Sequence, residues 1–355
     1  MKPWLERLIR PAVSTMSPYA SARSLAAPGE NEILLDANES PWPGFGVRSN
    51  RYPEPKPGKL VARLARLYGV AAERLFLGRG SDEAIDCLLR CFCQSGESSV
   101  VTPSPSYGVY ETAARIQGAR LLRSELDEAA GFPVEADRIL AAVEADTRLV
   151  FLCSPNNPTG RSVPSTVVRV ICEGLSGRAL VVLDEAYVEF SDAPSLASEA
   201  GTIENLVVLR TLSKAWGLAG LRLGAAAADA EIVALLDRVR APYPLAEPVI
   251  AAGVEALSDE RGMLERVARI RGERERLLAA FSRSDSVETA FPSDANFLLL
   301  RLKSLSGGAA AERLRRKGVV VRARDPFLRI SVGSPEENDR LLEAFERIGE
   351  DGCAK

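Results

Sequence analysis

Three near-continuous apolar runs, Leu149 to Cys153, Leu180 to Leu183 and Leu206 to Leu209, constrain what this chain can fold into more than any other feature. A strand with one wet face alternates apolar and polar residues. A run that is apolar throughout must be covered on both faces, as in a parallel sheet between layers of helices. Further strand-like runs at Ser99 to Thr102 and Arg120 to Arg123 alternate with helical stretches. The pattern predicts an α/β fold with a mostly parallel central sheet flanked by helices. Ligands bind such sheets beyond the carboxyl ends of the strands. Each of the three runs leads into a polar cluster there: SPNNPTG, DEAYVEF and TLSK.

The third cluster opens the stretch TLSKAWGLAGLRLG, Thr211 to Gly224. Lys214 alone could be a solvated surface charge. Beside it, Ser213 offers a hydroxyl and Arg222 a guanidinium, while Ala219, Gly220 and Gly224 let backbone come close to a ligand. Together these describe a phosphate held next to an amine, the requirement of pyridoxal phosphate: a lysine to condense with its aldehyde and donors for its phosphate. Upstream, a glycine turn in GRGSDEAIDCLLRCF opens a helix at Ser81 and Asp82. Either residue can act as an ordinary N-cap, yet the turn also presents free N–H groups as a phosphate seat.

The other clusters suit the rest of such a cofactor. Asp184 at the mouth of a buried strand either caps a neighbouring helix or keeps a pyridine nitrogen protonated. Asn157 and Tyr187 are placed to hydrogen-bond a phenolic oxygen, although an Asn-Pro pair also makes turns. Tyr107 in PSPSYGVY can stack on a ring face. Tyr52, held extended before Pro53, either staples its own subunit or serves a site.

The 355 residues suffice for two domains. The sequence divides into an arm, 1–46, expected to pack with the smaller unit, a large domain, 47–240, and a small α+β domain, 241–355. The arm is proline-rich and reads as irregular. In the small unit, strand-like runs at Asn296 to Leu302, Val319 to Arg324 and Phe327 to Val332 surround a helix, Gly308 to Lys317. Arg322 and Arg329 lie inside those runs, where a cation needs an anion. A nearby carboxylate would serve Arg322. For Arg329 a substrate anion held by the planar fork is the better expectation.

A formal net charge of −3 with interspersed signs suggests neither a nucleic-acid partner nor a membrane surface. No histidine is present, so Ser-His and Cys-His nucleophiles are excluded and acid-base work falls to lysine, carboxylates, tyrosine or a cofactor. Six cysteines lie mostly in apolar segments. They read as buried hydrophobes in a reducing cytoplasm, with no metal site.

Lys214 in SKAWGLAGLRLG, Asp184 in DEAYVEF, Asn157 in SPNNPTG and Arg329 in LRISVG resemble the fold-type I pyridoxal-phosphate aminotransferases. DANESPWPG, NRYPEPKPGKL, GRGSDEAIDCLLRCF, PSYGVY and APYPLAEP make the chain similar to the histidinol-phosphate branch of that family. The resemblance implies a homodimer, with Lys214 bonded to the cofactor and moving a proton. It implies Asp184 at the ring nitrogen, Asn157 and Tyr187 at the ring oxygen, and Tyr107 on the ring. It assigns the cofactor phosphate to Ser81, Asp82, Ser213 and Arg222, with Tyr52 from the other subunit, and the substrate to Tyr19, Asn157, Arg322 and Arg329. The implied reaction passes the amino group of L-histidinol phosphate to 2-oxoglutarate. Threonine-phosphate decarboxylation and aromatic transamination are the alternatives on the same fold.

Overall fold

The computed structural model describes residues 1–17, 19, 33–44 and 49–348. Seven strands form the larger sheet: β1 Leu75–Arg79, β2 Ser99–Ser104, β3 Arg120–Glu125, β4 Thr147–Cys153, β5 Leu180–Asp184, β6 Leu206–Thr211 and β7 Leu223–Ala227. Their order is β1-β7-β6-β5-β4-β2-β3. Only β7 runs against its neighbours. Every residue of β5 and β6 is buried, as an unbroken apolar run requires. Edge strand β3, RLLRSE, leaves its charged residues exposed.

Strand β7 was hidden from the apolar pattern because its sequence is LGAAA, and glycine and alanine are poor strand formers. Small side chains suit its place, since the helix Ser81–Phe92 packs across it. Being antiparallel, β7 begins at the edge where its neighbours end: Gly224 pairs with Thr211 and Leu223 with Arg79. That register brings Arg222 to the carboxyl ends of β1 and β6.

The smaller sheet contains β8 Val287–Phe291, β9 Phe297–Leu302, β10 Arg322–Arg324 and β11 Phe327–Ser331. Its order is β10-β11-β9-β8, antiparallel throughout. Strand β10 is shorter than its apolar run, for Val319 to Val321 approach the sheet without joining it, and β8 was not anticipated. The helix Glu260–Ser282 serves both units: Met263 and Val267 belong to the larger core, Leu277 and Phe281 to the smaller. The change of packing partner thus falls along this helix rather than at residue 240. Buried Arg274 on it donates to the carbonyls of Phe190 and Ala295, both at 3.1 Å.

Residues 3–14 correct the picture of an irregular arm on the small unit. Proline begins each of two short helices, Pro3–Leu8 and Pro11–Ser14, where its missing N–H costs nothing. Leu5, Leu8, Ile9 and Val13 enter the larger core, and Lys2 reaches Asp229 and Glu204, each at 2.9 Å. Four apolar residues at helical spacing need a core, and the nearer one lies under the helix Ser81–Phe92. The rest of SPYASAR, apart from Ser17 and Tyr19, lies outside the described residues. Cys87, Cys91, Cys93, Cys153 and Cys172 are buried and unpaired; Cys353 lies outside the described residues. Among these, no group of side chains is arranged to hold a metal ion, and no helix is long and apolar enough to cross a membrane.

Candidate active site

The carboxyl edge of the larger sheet carries a cavity of about 310 Å³, closed on its far side by β10 and β11. One end is built from backbone. Gly80, at φ 76°, is the N-cap of the helix Ser81–Phe92, and no side chain caps it. This corrects the alternative that Ser81 or Asp82 is an ordinary cap, and it leaves first-turn N–H groups free at the positive end of a helix. The first residues of β7 press against this turn. A Cβ on Gly224 would stand 2.3 Å from both the Gly80 carbonyl carbon and the Ser81 nitrogen. Arg222, in the left-handed region at φ 53°, aims its guanidinium at Asp82 (3.1 Å) and the Ser213 hydroxyl (3.4 Å). Thr211 fixes Ser213 through a 3.0 Å hydroxyl contact.

Gly224→Ala therefore has to push backbone apart. It is expected to cost about 1–3 kcal/mol of stability and to weaken pyridoxal phosphate binding by displacing Ser81. Denaturant unfolding and a cofactor titration check the two effects. Retention of wild-type cofactor affinity would contradict the cradle.

At the deep end Asp184 closes β5, almost fully buried. Its carboxylate accepts from the Tyr110 hydroxyl at 2.8 Å and from the Ala186 N–H at 3.1 Å. No cation lies within ion-pairing distance among the described residues. Burial raises its pKa to about 6 against the pull of those two donors. Tyr110 is itself held by stacking on Phe151, with ring centroids 4.8 Å apart. Such a buried carboxylate, firmly oriented yet without a counterion, suits a ligand that brings a positive charge.

Lys214 stands between the two ends, its amine 5.4 Å from the centre of the Tyr187 ring. The side chain opens into the cavity, but the surrounding walls and Arg329 lower its pKa. Asn157 donates to the Tyr187 hydroxyl at 3.3 Å and accepts from Arg329 at 2.5 Å. It ties the Tyr187 side of the cavity to the Arg329 side. Tyr107 donates to Asp82 at 3.3 Å and meets Tyr110 edge-on.

Ser81, Asp82, Tyr107, Asn157, Asp184, Tyr187, Ser213, Lys214, Arg222, Arg322 and Arg329 thus line one cavity. Tyr19 and Tyr52 do not. Tyr19 is exposed, and Tyr52, also exposed, stacks on Tyr243 with centroids 4.5 Å apart. Tyr187 follows Asp184 through an irregular turn. Two contributors were missed in the sequence. Tyr110 could have been found as the residue one helical turn beyond Tyr107, and Arg324 as the second arginine of the alternating RAR. The donor set fits pyridoxal phosphate: free N–H groups, hydroxyls and a guanidinium for a phosphate, a lysine for an aldehyde, and a buried carboxylate for a ring nitrogen.

Residues 44–345 match the family model of the class I and II aminotransferases. The chain is 43% identical over 350 residues to the histidinol-phosphate aminotransferase of Parabacteroides distasonis, covering 97% of this chain and 99% of that protein. It is 44% identical over 354 residues to the enzyme of the same name from Xylella fastidiosa, covering 96% of each. Among solved structures it is similar to histidinol-phosphate aminotransferase from Sinorhizobium meliloti in complex with pyridoxal-5'-phosphate. There the TM-score is 0.78 at 26% identity, over 85% of this chain and 84% of that one.

Proposed function

This chain belongs to the class I and II aminotransferases, and from that premise we propose that it transfers the amino group of L-histidinol phosphate to 2-oxoglutarate with pyridoxal phosphate, as a cytoplasmic homodimer. The products are imidazole acetol phosphate and glutamate, a step of histidine biosynthesis. One observation carries the choice of substrate. The cavity that holds Lys214 also holds Arg322 and Arg329, and neither arginine has a carboxylate partner among the described residues. A pocket with uncompensated guanidinium groups wants an anion on the substrate.

Bound in this cavity, the cofactor supplies an aldehyde for the amino group and an electron sink for charge left at the substrate α carbon. The residues do the rest. Backbone at Ser81 and Asp82, the Ser213 hydroxyl and Arg222 hold the cofactor phosphate. Asp184 holds the proton on the ring nitrogen, Asn157 and Tyr187 donate to the ring oxygen, and Tyr107 covers the ring. Lys214, its pKa lowered by the cavity walls and Arg329, has more neutral amine at neutral pH than a surface lysine, and it moves the α proton. Arg329, oriented by Asn157 and joined by Arg322, holds the phosphate of one substrate and a carboxylate of the other in turn. Tyr52 is assigned to the cofactor phosphate of a second copy and Tyr19 to the substrate pocket, roles that suit their exposure in a single chain.

The test is spectral. L-Histidinol phosphate added to cofactor-loaded protein without an oxo acid is expected to convert the cofactor band to that of its amine form, and 2-oxoglutarate to restore it. Silence with histidinol phosphate, together with conversion by phenylalanine or carbon dioxide release from threonine phosphate, would move the substrate to another class.

A further inference from the structure

We propose that Arg324 is a specificity-determining residue, the third guanidinium of the anion pocket, which makes that pocket select a doubly charged phosphate over a carboxylate. The inference rests on the reading that Arg322 and Arg329 face the substrate anion. Strands β10 and β11 pair so that Arg322 lies opposite Arg329 and Arg324 opposite Phe327. Side chains alternate along a strand and opposed residues share a face, so Arg322, Arg324 and Arg329 all project from one side of this ribbon. All three line the cavity of Lys214.

Like charges set opposite each other across a ribbon are destabilising. No carboxylate among the described residues pairs with them; Arg322 is exposed, and Arg329 lies over an aromatic face, its guanidinium 5.4 Å from the centre of the Phe297 ring. Arg322 and Arg324 make no hydrogen bond or ion pair there. Arg329 makes its one hydrogen bond among the described residues to the amide oxygen of Asn157, and the Nε atoms of Arg324 and Arg329 are buried without a partner. Asp184, in the same cavity, is held by the Tyr110 hydroxyl and the Ala186 N–H and pairs with none of the three arginines, and other carboxylates are engaged elsewhere. Asp325 accepts from the Gly308 N–H at 2.8 Å, Glu128 takes Arg301 through two contacts of 2.5 Å, and Asp82 faces Arg222. The Arg329 guanidinium is held below its usual pKa by burial, with Arg324 and Arg322 adding to the effect. Such an arrangement persists where a ligand supplies the missing charge.

The ligand's charge separates the two substrates. A carboxylate brings one negative charge and two oxygens, which Arg329 alone can take in a fork. A phosphate monoester brings a charge of about −1.5 to −2 and three acceptor oxygens, enough to engage a third guanidinium. Arg324 therefore adds more to phosphate binding than to carboxylate binding.

Calorimetric titration of the cofactor-loaded protein with inorganic phosphate and with glutarate measures this difference without turnover. Arg324→Gln is expected to weaken phosphate binding by about 10- to 100-fold and glutarate binding by less than about 3-fold. Arg324→Lys restores much of the phosphate affinity, since the charge returns without the fork. Phosphate affinity of the wild type rises with pH as the dianion forms, and the Gln variant loses part of that rise. Equal losses for both anions would reduce Arg324 to a structural residue. Unchanged phosphate affinity would remove it from the site, and either result overturns the proposal. The wild-type reaction with histidinol phosphate reports separately on the substrate reading, because inorganic phosphate probes the arginines whichever ester is the natural one.

Discussion

Lys214→Ala is expected to lower turnover by about 10⁴-fold or more while leaving the fold intact. The side chain opens into the cavity and supports no core packing: its neighbours Ala215 and Trp216 are buried, but Lys214 itself is not. Truncation therefore costs little stability. On the proposed reading it removes both the amine that would bond the cofactor and the base that would move the α proton, and no other side chain of the cavity is suited to replace it. The chain has no histidine. The Tyr107 and Tyr187 hydroxyls are pushed well above their usual pKa by burial, with Asp82 and Cys153 respectively adding to it. Thermal unfolding and single-turnover absorbance with histidinol phosphate give the two readouts. A small primary amine such as methylamine fits the space left and should recover part of the proton transfer. A variant turning over at the wild-type rate would remove Lys214 from the chemistry and, with it, the reading of the cavity.

Much of this site was legible because its residues follow apolar runs. Asp184 closes β5, and Lys214 comes three residues after the end of β6, so reading the strands located the cluster. What remained hidden lay where local pattern and tertiary role diverge. Strand β7 is alanine and glycine, chosen for the close approach of a helix rather than for strand propensity, and it silently sets the position of Arg222. The helices of residues 3–14 carry apolar residues at helical spacing, but their prolines read as breakers when they are starts. Tyr110 looks in sequence like any core aromatic, and its hydroxyl matters because packing on Phe151 aims it at Asp184. The boundary between units was blurred for a further reason: one amphipathic helix, Glu260–Ser282, serves two cores in succession.

Asp184→Asn is expected to separate stability from activity. In the cofactor-free protein the carboxyl titrates near pH 6, against 3.8 for an ordinary Asp, because burial penalises its charge. Between those values the folded chain holds a proton that the unfolded chain has lost, so stability falls as pH rises from about 4 to 6. Above that window the cost is constant, on the order of 3 kcal/mol. An amide removes the charge and can still accept from Tyr110, although its own N–H groups then compete for few acceptors, which takes back about 1–3 kcal/mol. The difference in unfolding free energy between wild type and variant should therefore change by about 3 kcal/mol across this range, in the variant's favour as pH rises, with little net difference at pH 7. Turnover should fall by about 10²- to 10³-fold or more, as when a fixed electrostatic partner of the reacting system is removed. A carboxylate kept in place at a cost to the free protein makes sense only if something positive arrives to meet it. If wild type and variant show the same pH dependence and the same rate, Asp184 is a structural carboxylate and a ring nitrogen would have to lie elsewhere.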